Sequence, residues 1–346
     1  MRIFPGFGGR PVRERLKRIK LSENYAGGVF QNPVETVLSF PFFKVMCKLW
    51  EKDSARTPGA PVPVLKPDPT FIESSCHGIT VTWLGHSSYL LGIEGKTVLV
   101  DPVFSQRVSP FRRMGAKQFP FSETIGVEDL PRIDVVLLTH DHYDHLDFET
   151  ICKLRDRVPE FIMPLGVGAH LEAWGIDAGK ITELDWWEQT GLLSGLNIQA
   201  VPARHFSGRG LFNRFSTLWA AFVIQTPRYS LFCGGDSGYF SGFAEIGRRL
   251  GPFDLAILEC GQYSSYWPAI HMSPEETVQA SVDLGASVLL PVHWAKFRLS
   301  IHPWKEPVER LLAEAERQKV SVVTPRIGET FSLAGALPRT PWWNFE

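Results

Sequence analysis

Cysteine pairing is the first thing this sequence lacks. Its five cysteines (Cys47, Cys76, Cys152, Cys233 and Cys260) are odd in number, lie far apart and form no CxxC pair. That argues against a disulfide framework and against a thiolate zinc knuckle, and a reducing compartment is the simplest setting. An uninterrupted apolar stretch long enough to cross a bilayer is also missing, and no signal peptide is evident. Net charge is nearly absent: 36 Lys and Arg offset 37 Asp and Glu, leaving −1. The molecule as a whole therefore has no general attraction to nucleic acid or anionic lipid, and any such attraction must come from a local patch. These absences predict a cytoplasmic protein without a nucleic-acid partner, with at most peripheral contact on the inner face of a membrane.

What is present is the balance of a soluble globular chain, 44 % hydrophobic and 21 % charged, and 346 residues are ample for a sizeable core. The start is locally basic, with Arg2, Arg10, Arg13, Arg15, Lys17, Arg18 and Lys20 opposed only by Glu14. An apolar, aromatic stretch follows from Val34 to Trp50, interrupted by Pro41. The pair reads either as a cationic arm with a segment resting in a lipid interface, or as a solvated arm with a segment packed on the protein's own core. Core packing is the commoner use of such segments. Thr57 to Pro69 is rich in proline and reads as an extended strap, which divides the chain into 1–75 and a main domain over 76–346.

In the main domain, short apolar runs bounded by Gly, Pro and Asp predict strands. They are Ile79–Leu84, Tyr89–Ile93, Thr97–Val100, Ile133–Leu138, Asn197–Val201, Ala220–Gln225, Tyr229–Cys233, Leu255–Leu258 and Ser287–Pro291. Helical spacing appears in Phe148–Arg157, Phe243–Leu250, Pro274–Leu284 and Pro307–Gln318. Ser273-Pro274-Glu275-Glu276 is a strong helix start, with a capping serine, proline at the first helical position and acids in the first turn. Strands mixed with helices, no repeat and no low-complexity tract indicate an α/β layered fold.

The predicted strand Ile133–Leu138 runs into His140-Asp141-His142-Tyr143-Asp144-His145. The carboxyl end of a strand is where α/β proteins usually hold their sites. His140 and His142 alternate, so one turn of backbone can aim both imidazoles at a single ion, while Asp144 and His145 supply a carboxylate and an imidazole to a second. Three His and two Asp within six residues are too costly to bury without a ligand. Imidazole and carboxylate without thiolate suit Zn²⁺, and also Mn²⁺ or Fe²⁺.

The run resembles the HxHxDH motif of the metallo-β-lactamase superfamily, whose further ligands are a third His, a bridging Asp and a last His, each after a strand. The matching positions are His205, Asp236 and His293. The resemblance implies an αββα sandwich, with His140, His142 and His205 on one divalent ion and Asp144, His145 and His293 on the other. Asp236 would be shared, and zinc is the first expectation for both ions. Trp83-Leu-Gly-His86, Asp101-Pro-Val-Phe-Ser105, Leu184-Asp-Trp-Trp-Glu188 and Glu245–Asp254 add a closer likeness, as do His271-Met-Ser-Pro-Glu-Glu276 and His293-Trp294. Together with Gln31-Asn-Pro33 and Pro63–Pro67, they are similar to the N-acylphosphatidylethanolamine-hydrolysing phospholipases D, a match running from about Tyr25 to the last strands.

That resemblance implies cleavage of a phospholipid phosphodiester to N-acylethanolamine and phosphatidic acid, a peripheral membrane contact and a homodimer. Asp144 and Asp236 would be catalytic as well as ligating. His271 would bind phosphate or protonate the leaving alkoxide, Arg209 would contact phosphate unless it is an exposed loop cation, and Tyr143 would line the pocket. His86 either supports a ligand or is structural, and Asp101 supports a ligand histidine or a turn. His77, His170 and His302 read as surface or packing residues, and Trp186-Trp187 as core. Ile270 departs from a polar Gln in the family pattern, so head-group contacts are expected to differ. Gly166–Lys180 is slightly longer than in that family, and its Leu171 and Trp174 either border the lipid entrance or pack inside. The competing functions are hydrolysis of a soluble ester, such as a sugar-phosphate lactone, and metal binding without catalysis.

Overall fold

The computed structural model describes residues 5–38, 41, 44–45, 47–48, 51, 53–68, 78–111, 113–191, 196–210 and 212–345. The expected boundary near residue 75, Cys76, His77 and much of the apolar stretch from Val34 to Trp50 lie outside the described residues.

Six strands open the main body: β1 (Ile79–Trp83), β2 (Tyr89–Ile93), β3 (Lys96–Val100), β4 (Val135–Leu137), β5 (Glu160–Pro164) and β6 (Ile181–Leu184). The first three form an antiparallel meander, and Glu94 and Gly95, at φ +48° and +76°, make the two-residue turn between β2 and β3. From β3 outward the pairing is parallel, β3 to β4 to β5 to β6. A second sheet follows, with β7 (Gln189–Thr190), β8 (Asn197–Val201), β9 (Ala221–Gln225), β10 (Ser230–Cys233), β11 (Leu255–Glu259) and β12 (Leu289–Val292). It is antiparallel up to β10 and parallel from β10 through β12. Finally β13 (Thr330–Ser332) returns to the first sheet beside β1, giving the order β6-β5-β4-β3-β2-β1-β13.

Every residue of β1, β2 and β11 is buried, so both faces of these central strands are covered. One sheet covers the other, and helices cover the outside. Helix α1 (Arg13–Leu21) belongs to the arm, while α2 (Phe148–Leu154) and α3 (Gly168–Ala173) lie between β4 and β6 in the chain. Helix α3 packs on β6. On the second sheet, α4 (Gly242–Leu250), α5 (Pro274–Leu284) and α6 (Glu306–Gln318) pack side by side, with α5 against β11. The architecture is the expected αββα sandwich.

The arm and the strap are built into this body. Ile19, Phe30, Val62 and Val64 join the same apolar core as the sheets. Val62 pairs with Phe121, and Val64 with Ile327. Three of the basic residues at the start face acids: Arg15 pairs with Glu172 and Glu183, Lys17 with Glu14, and Arg18 with Glu188. Leu171 and Trp174 turn inward and are buried, so of the two expected placements it is packing inside that holds, and they do not border a lipid entrance. The reason is local: Trp174 donates its indole N–H to the carbonyl of Pro5 at 2.7 Å, which docks the arm against α3.

The cap read at Ser273 is present as a full capping box, with Ser273 Oγ accepting from Glu276 N at 3.3 Å and Glu276 Oε2 accepting from Ser273 N at 2.8 Å. Ser273→Ala is expected to cost about 1 kcal/mol, read as a lower urea midpoint with an unchanged slope. No loss of stability would contradict the capping role.

Candidate metal centre

Each ligand candidate follows the carboxyl end of a strand: the run from His140 follows β4, His205 follows β8, Asp236 follows β10 and His293 follows β12. These four strand ends, one from the first sheet and three from the second, meet at one edge of the sandwich. The backbone there is unusual. His86, Asp101 and His293 hold φ at +54°, +41° and +68°, values costly for residues with a side chain and found mainly where a site dictates them. Gly235 (φ +60°) lets the Asp236 loop approach the ligand run, because a Cβ there would lie 2.8 Å from the Cβ of Thr139.

Three imidazole nitrogens converge on one point. His142 Nδ1 lies 2.9 Å from His140 Nε2 and 3.2 Å from His205 Nε2. The far nitrogens of the two outer rings are already committed. His140 Nδ1 faces Thr139 Oγ1 at 3.0 Å, and since that hydroxyl donates to Asp101 Oδ2 at 2.6 Å, the ring must be the donor. His205 Nδ1 donates to the carbonyl of Ile270 at 2.9 Å. Both Nε2 atoms therefore carry lone pairs toward the gap, and a single N–H on His142 could satisfy only one of them. Asp236 Oδ2 closes the group, 3.8 Å from His140 Nε2 and 3.7 Å from His205 Nε2.

A second group adjoins it. His145 Nε2 lies 3.1 Å from Asp236 Oδ2 and 3.6 Å from Asp144 Oδ2, and His293 Nδ1 lies 3.1 Å from Asp236 Oδ1. The other face of His145 donates Nδ1–H to Asp101 Oδ2 at 2.7 Å. Asp101 also accepts from the Thr139 N–H and hydroxyl, so it fixes His145 directly and His140 through Thr139. His86 joins this second group, its Nε2 2.9 Å from Asp144 Oδ2.

The residues fit divalent ions. His145 Nε2 and Asp236 Oδ1 are buried without a hydrogen-bond partner, and Asp144 and Asp236 pair only with histidines, with no Lys or Arg among the described residues to neutralise them. Burial holds His86 and His142 at about 4 and pushes His140, His205 and His293 well below the usual imidazole range, so these rings are neutral and able to ligate near neutral pH. Burial also lowers His145, but the carboxylates of Asp236, Asp144 and Asp101 outweigh it and raise this ring well above its usual value. That point in the site asks for positive charge, which a proton or a cation can supply. Asp236 is pushed up to about 6 by burial.

His271 stands beside the centre, its ring 5.3 Å from that of His293 and 5.1 Å from that of His205. Its Nδ1 lies 2.5 Å from Glu259 Oε2. Glu259 is the residue that sequence reading missed. It is fully buried at the end of β11 and also accepts from the backbone N–H groups of Ser237 and Met272. An acid in the apolar run Leu255–Glu259 was the available signal.

Two expected substrate contacts are corrected. Arg209 is buried, and its guanidinium donates to the carbonyls of Gly6, Asp141 and Leu146, tying the arm to the ligand run. Tyr143 lies under that guanidinium, 4.1 Å from ring centre to its carbon, and its hydroxyl donates to the carbonyl of Arg209 at 2.5 Å. Neither residue lines the pocket over the ligands. The physical reason is that four carbonyls in a tight corner need donors, and a guanidinium can serve several at once. His170, expected at the surface or in packing, is buried in the same support, with Nε2 3.1 Å from Asp141 Oδ2 and Nδ1 accepting from the Gly9 N–H at 3.1 Å. His302 stacks on Tyr263, and Trp186 is core.

The pocket above the ligands has a volume of about 240 Å³. Its floor is His142, Asp144, Asp236, His271 and His293, and its walls include Leu38, Phe206, Trp267, Ile270 and Leu299.

Comparison with known proteins agrees with this geometry. The family model described as a beta-lactamase superfamily domain matches residues 96–294. An uncharacterized protein of Mycobacterium tuberculosis is 43 % identical over 333 residues, covering 93 % of this chain and 88 % of its own. N-acyl-phosphatidylethanolamine-hydrolyzing phospholipase D 1 of Caenorhabditis elegans is 30 % identical over 268 residues, 73 % of this chain and 75 % of that protein. Among solved structures, a metallo hydrolase from the archaeon Ignicoccus hospitalis superimposes with a TM-score of 0.57 at 20 % identity, covering 73 % of this chain and 97 % of that one, which is a likeness of fold.

The lowered imidazoles make a pH prediction for the metal-free protein. In the unfolded chain they titrate near the ordinary 6.5, whereas His86 and His142 in the folded chain titrate at about 4. Between those values the unfolded state binds more protons, so stability falls as pH drops through that window. Asp236 and Glu259, both raised by burial, and His145, raised by its carboxylate neighbours, act in the opposite sense but are outnumbered. The urea midpoint of chelator-treated protein should therefore be lower at about pH 5 than at about pH 7. An equal or higher midpoint at the acid end would contradict this.

Proposed function

The chain belongs to the metallo-β-lactamase superfamily of metal-dependent hydrolases, and from that premise we propose that it hydrolyses a phospholipid phosphodiester with two metal ions. The first substrate is N-acylphosphatidylethanolamine, giving N-acylethanolamine and phosphatidic acid. The observation that carries this reading is the pocket: apolar walls of Leu38, Phe206, Trp267, Ile270 and Leu299 stand over a floor of ligand carboxylates and imidazoles. A soluble sugar-phosphate ester calls for a polar cup instead. The relative named for N-acylphosphatidylethanolamine hydrolysis supports the same choice.

His140, His142, His205 and Asp236 would hold one divalent ion, and Asp144, His145, His293 and Asp236 the other, with zinc the first expectation. Such a pair supplies Lewis acidity toward phosphate oxygens and lowers the pKa of water. The chain's own contribution is positional. Asp101 fixes His145 from behind, and Thr139 fixes His140. Glu259 holds Nδ1 of His271, which leaves the opposite edge of that ring for the substrate. Water adds across the P–O bond on the ethanolamine side: its hydroxyl oxygen joins phosphorus and a proton goes to the departing alkoxide. His271 is assigned to deliver that proton or to bind the phosphate.

A membrane surface is the natural source of the substrate. Val37 and Phe212 are large apolar side chains left 68 % and 91 % exposed, each within two residues of a pocket-lining residue. Peripheral contact through this rim replaces the Leu171 and Trp174 route. No helix among the described residues is long and apolar enough to cross a membrane.

Metal-loaded protein incubated with N-acylphosphatidylethanolamine vesicles should release N-acylethanolamine, and His142→Ala should lower the rate by at least about a hundredfold. Release no greater than that of the His142→Ala protein would remove this substrate.

A further inference from the structure

Arg214 is the only cationic side chain among the residues lining the pocket over the ligands. It sits on a loop closed at its base, where the Phe215 N–H donates to the carbonyl of Ser207 at 2.9 Å and the Ser207 hydroxyl to the carbonyl of Thr217 at 2.6 Å. The loop is also fastened to the ligand run, because Asp141 accepts from the Gly208 N–H at 2.7 Å and from the Thr217 hydroxyl at 2.9 Å. The position of Arg214 is thus tied to that of the metal ligands.

The guanidinium is held by aromatic faces. Its carbon lies 4.5 Å from the centre of the Phe206 ring and 5.4 Å from that of Phe215. Phe206 lies in turn against His142, ring centres 4.4 Å apart. Arg214 and the ligand His142 thus share Phe206 as a neighbour. Among the described residues it has no hydrogen-bond or ion-pair partner. Arg209 and Arg204, on the same side of the molecule, are both committed to carbonyls or hydroxyls. The five planar donors of Arg214 remain available at the pocket that this residue lines.

We propose that Arg214 reads the charge of the substrate's head group, favouring an acidic head over a neutral acylamide and a neutral acylamide over a free ammonium. This rests on the phosphodiesterase reading of the same site. The other titratable residues lining the pocket are the carboxylates and imidazoles at its floor, so Arg214 is the one cation on its wall. An ammonium head meets repulsion with no carboxylate on the wall to offset it, whereas an acid gains a charge-assisted pair. N-acylation removes the ammonium charge, which is the change such a rim would detect.

The test uses three phosphodiesters with one acyl skeleton and carboxylate, acylamide or ammonium heads, presented in neutral detergent micelles to the metal-loaded enzyme. Wild-type kcat/KM should fall in that order. Arg214→Gln should shrink the carboxylate-to-ammonium ratio about twofold to fivefold, the size of one exposed charge pair, acting mainly through KM, and Arg214→Lys should keep most of the ratio. Added salt should weaken the wild-type ranking. An unchanged ratio in Arg214→Gln, or an equal loss on all three heads, overturns the proposal. Calorimetric titration with decyl carboxylate and decyl ammonium separates it from the catalytic reading. If wild type hydrolyses none of the diesters but still binds the carboxylate more tightly, with the difference lost in Arg214→Gln, head-group sensing stands and phosphodiesterase activity does not. Equal binding of both amphiphiles overturns the sensing role.

Discussion

Two carboxylates, the buried Asp236 and the largely enclosed Asp144, face a cluster of imidazole lone pairs, and no Lys or Arg among the described residues pairs with them. Burying charge without a counter-charge is among the costliest things a fold can do. The arrangement is reasonable only with cations present, which exchange unsatisfied acceptors for coordination bonds. The loops at the ends of β4, β8, β10 and β12 are shaped by that requirement, down to the left-handed backbone at Asp101 and His293.

A set of supports behind the ligands keeps these loops from relaxing. Asp101 binds Thr139 and His145 together, and Ser87 Oγ lies 2.8 Å from His293 Nδ1. Asp141, inside the ligand run, is taken up by His170, Thr217 and the Gly208 N–H. His170 is reached by the arm, where Gly8 (φ +73°) allows an approach that a Cβ would block at 2.1 Å from the imidazole. Arg209 completes the corner from Gly6 to Leu146. The arm is therefore part of the support for the metal centre as well as a cover on α3, and a chain beginning beyond it would leave those donors and acceptors exposed.

Much of this was legible in sequence. The nine strands read from apolar runs are all present within two residues of their ends, because runs such as Val98–Val100 and Leu255–Leu258 are buried on both faces and need no alternation to be noticed. Four of the seven ligand candidates stand in one dense motif and the family resemblance pointed to the other three, and the structure brings all seven together. Strands β5, β6, β7 and β13 escaped notice because they are short or carry Pro, Glu and Thr. Long-range partners were the harder part. Arg209 and Tyr143 sit near ligands in sequence but serve carbonyls in a buried corner, and Glu259 acquires its role only when folding places it under His271. Residue type and spacing report what a side chain can do, while its partner is set by the packing of distant segments.

The central claim is that this one convergence of side chains holds two ions with Asp236 shared between them. Elemental analysis of protein reconstituted with zinc and dialysed against metal-free buffer tests it most directly. About two ions per chain are expected for wild type and clearly fewer for Asp236→Ala, as for a paired-metal hydrolytic site. A wild-type chain that retains one ion or none, or an Asp236→Ala chain that keeps two, would contradict the account.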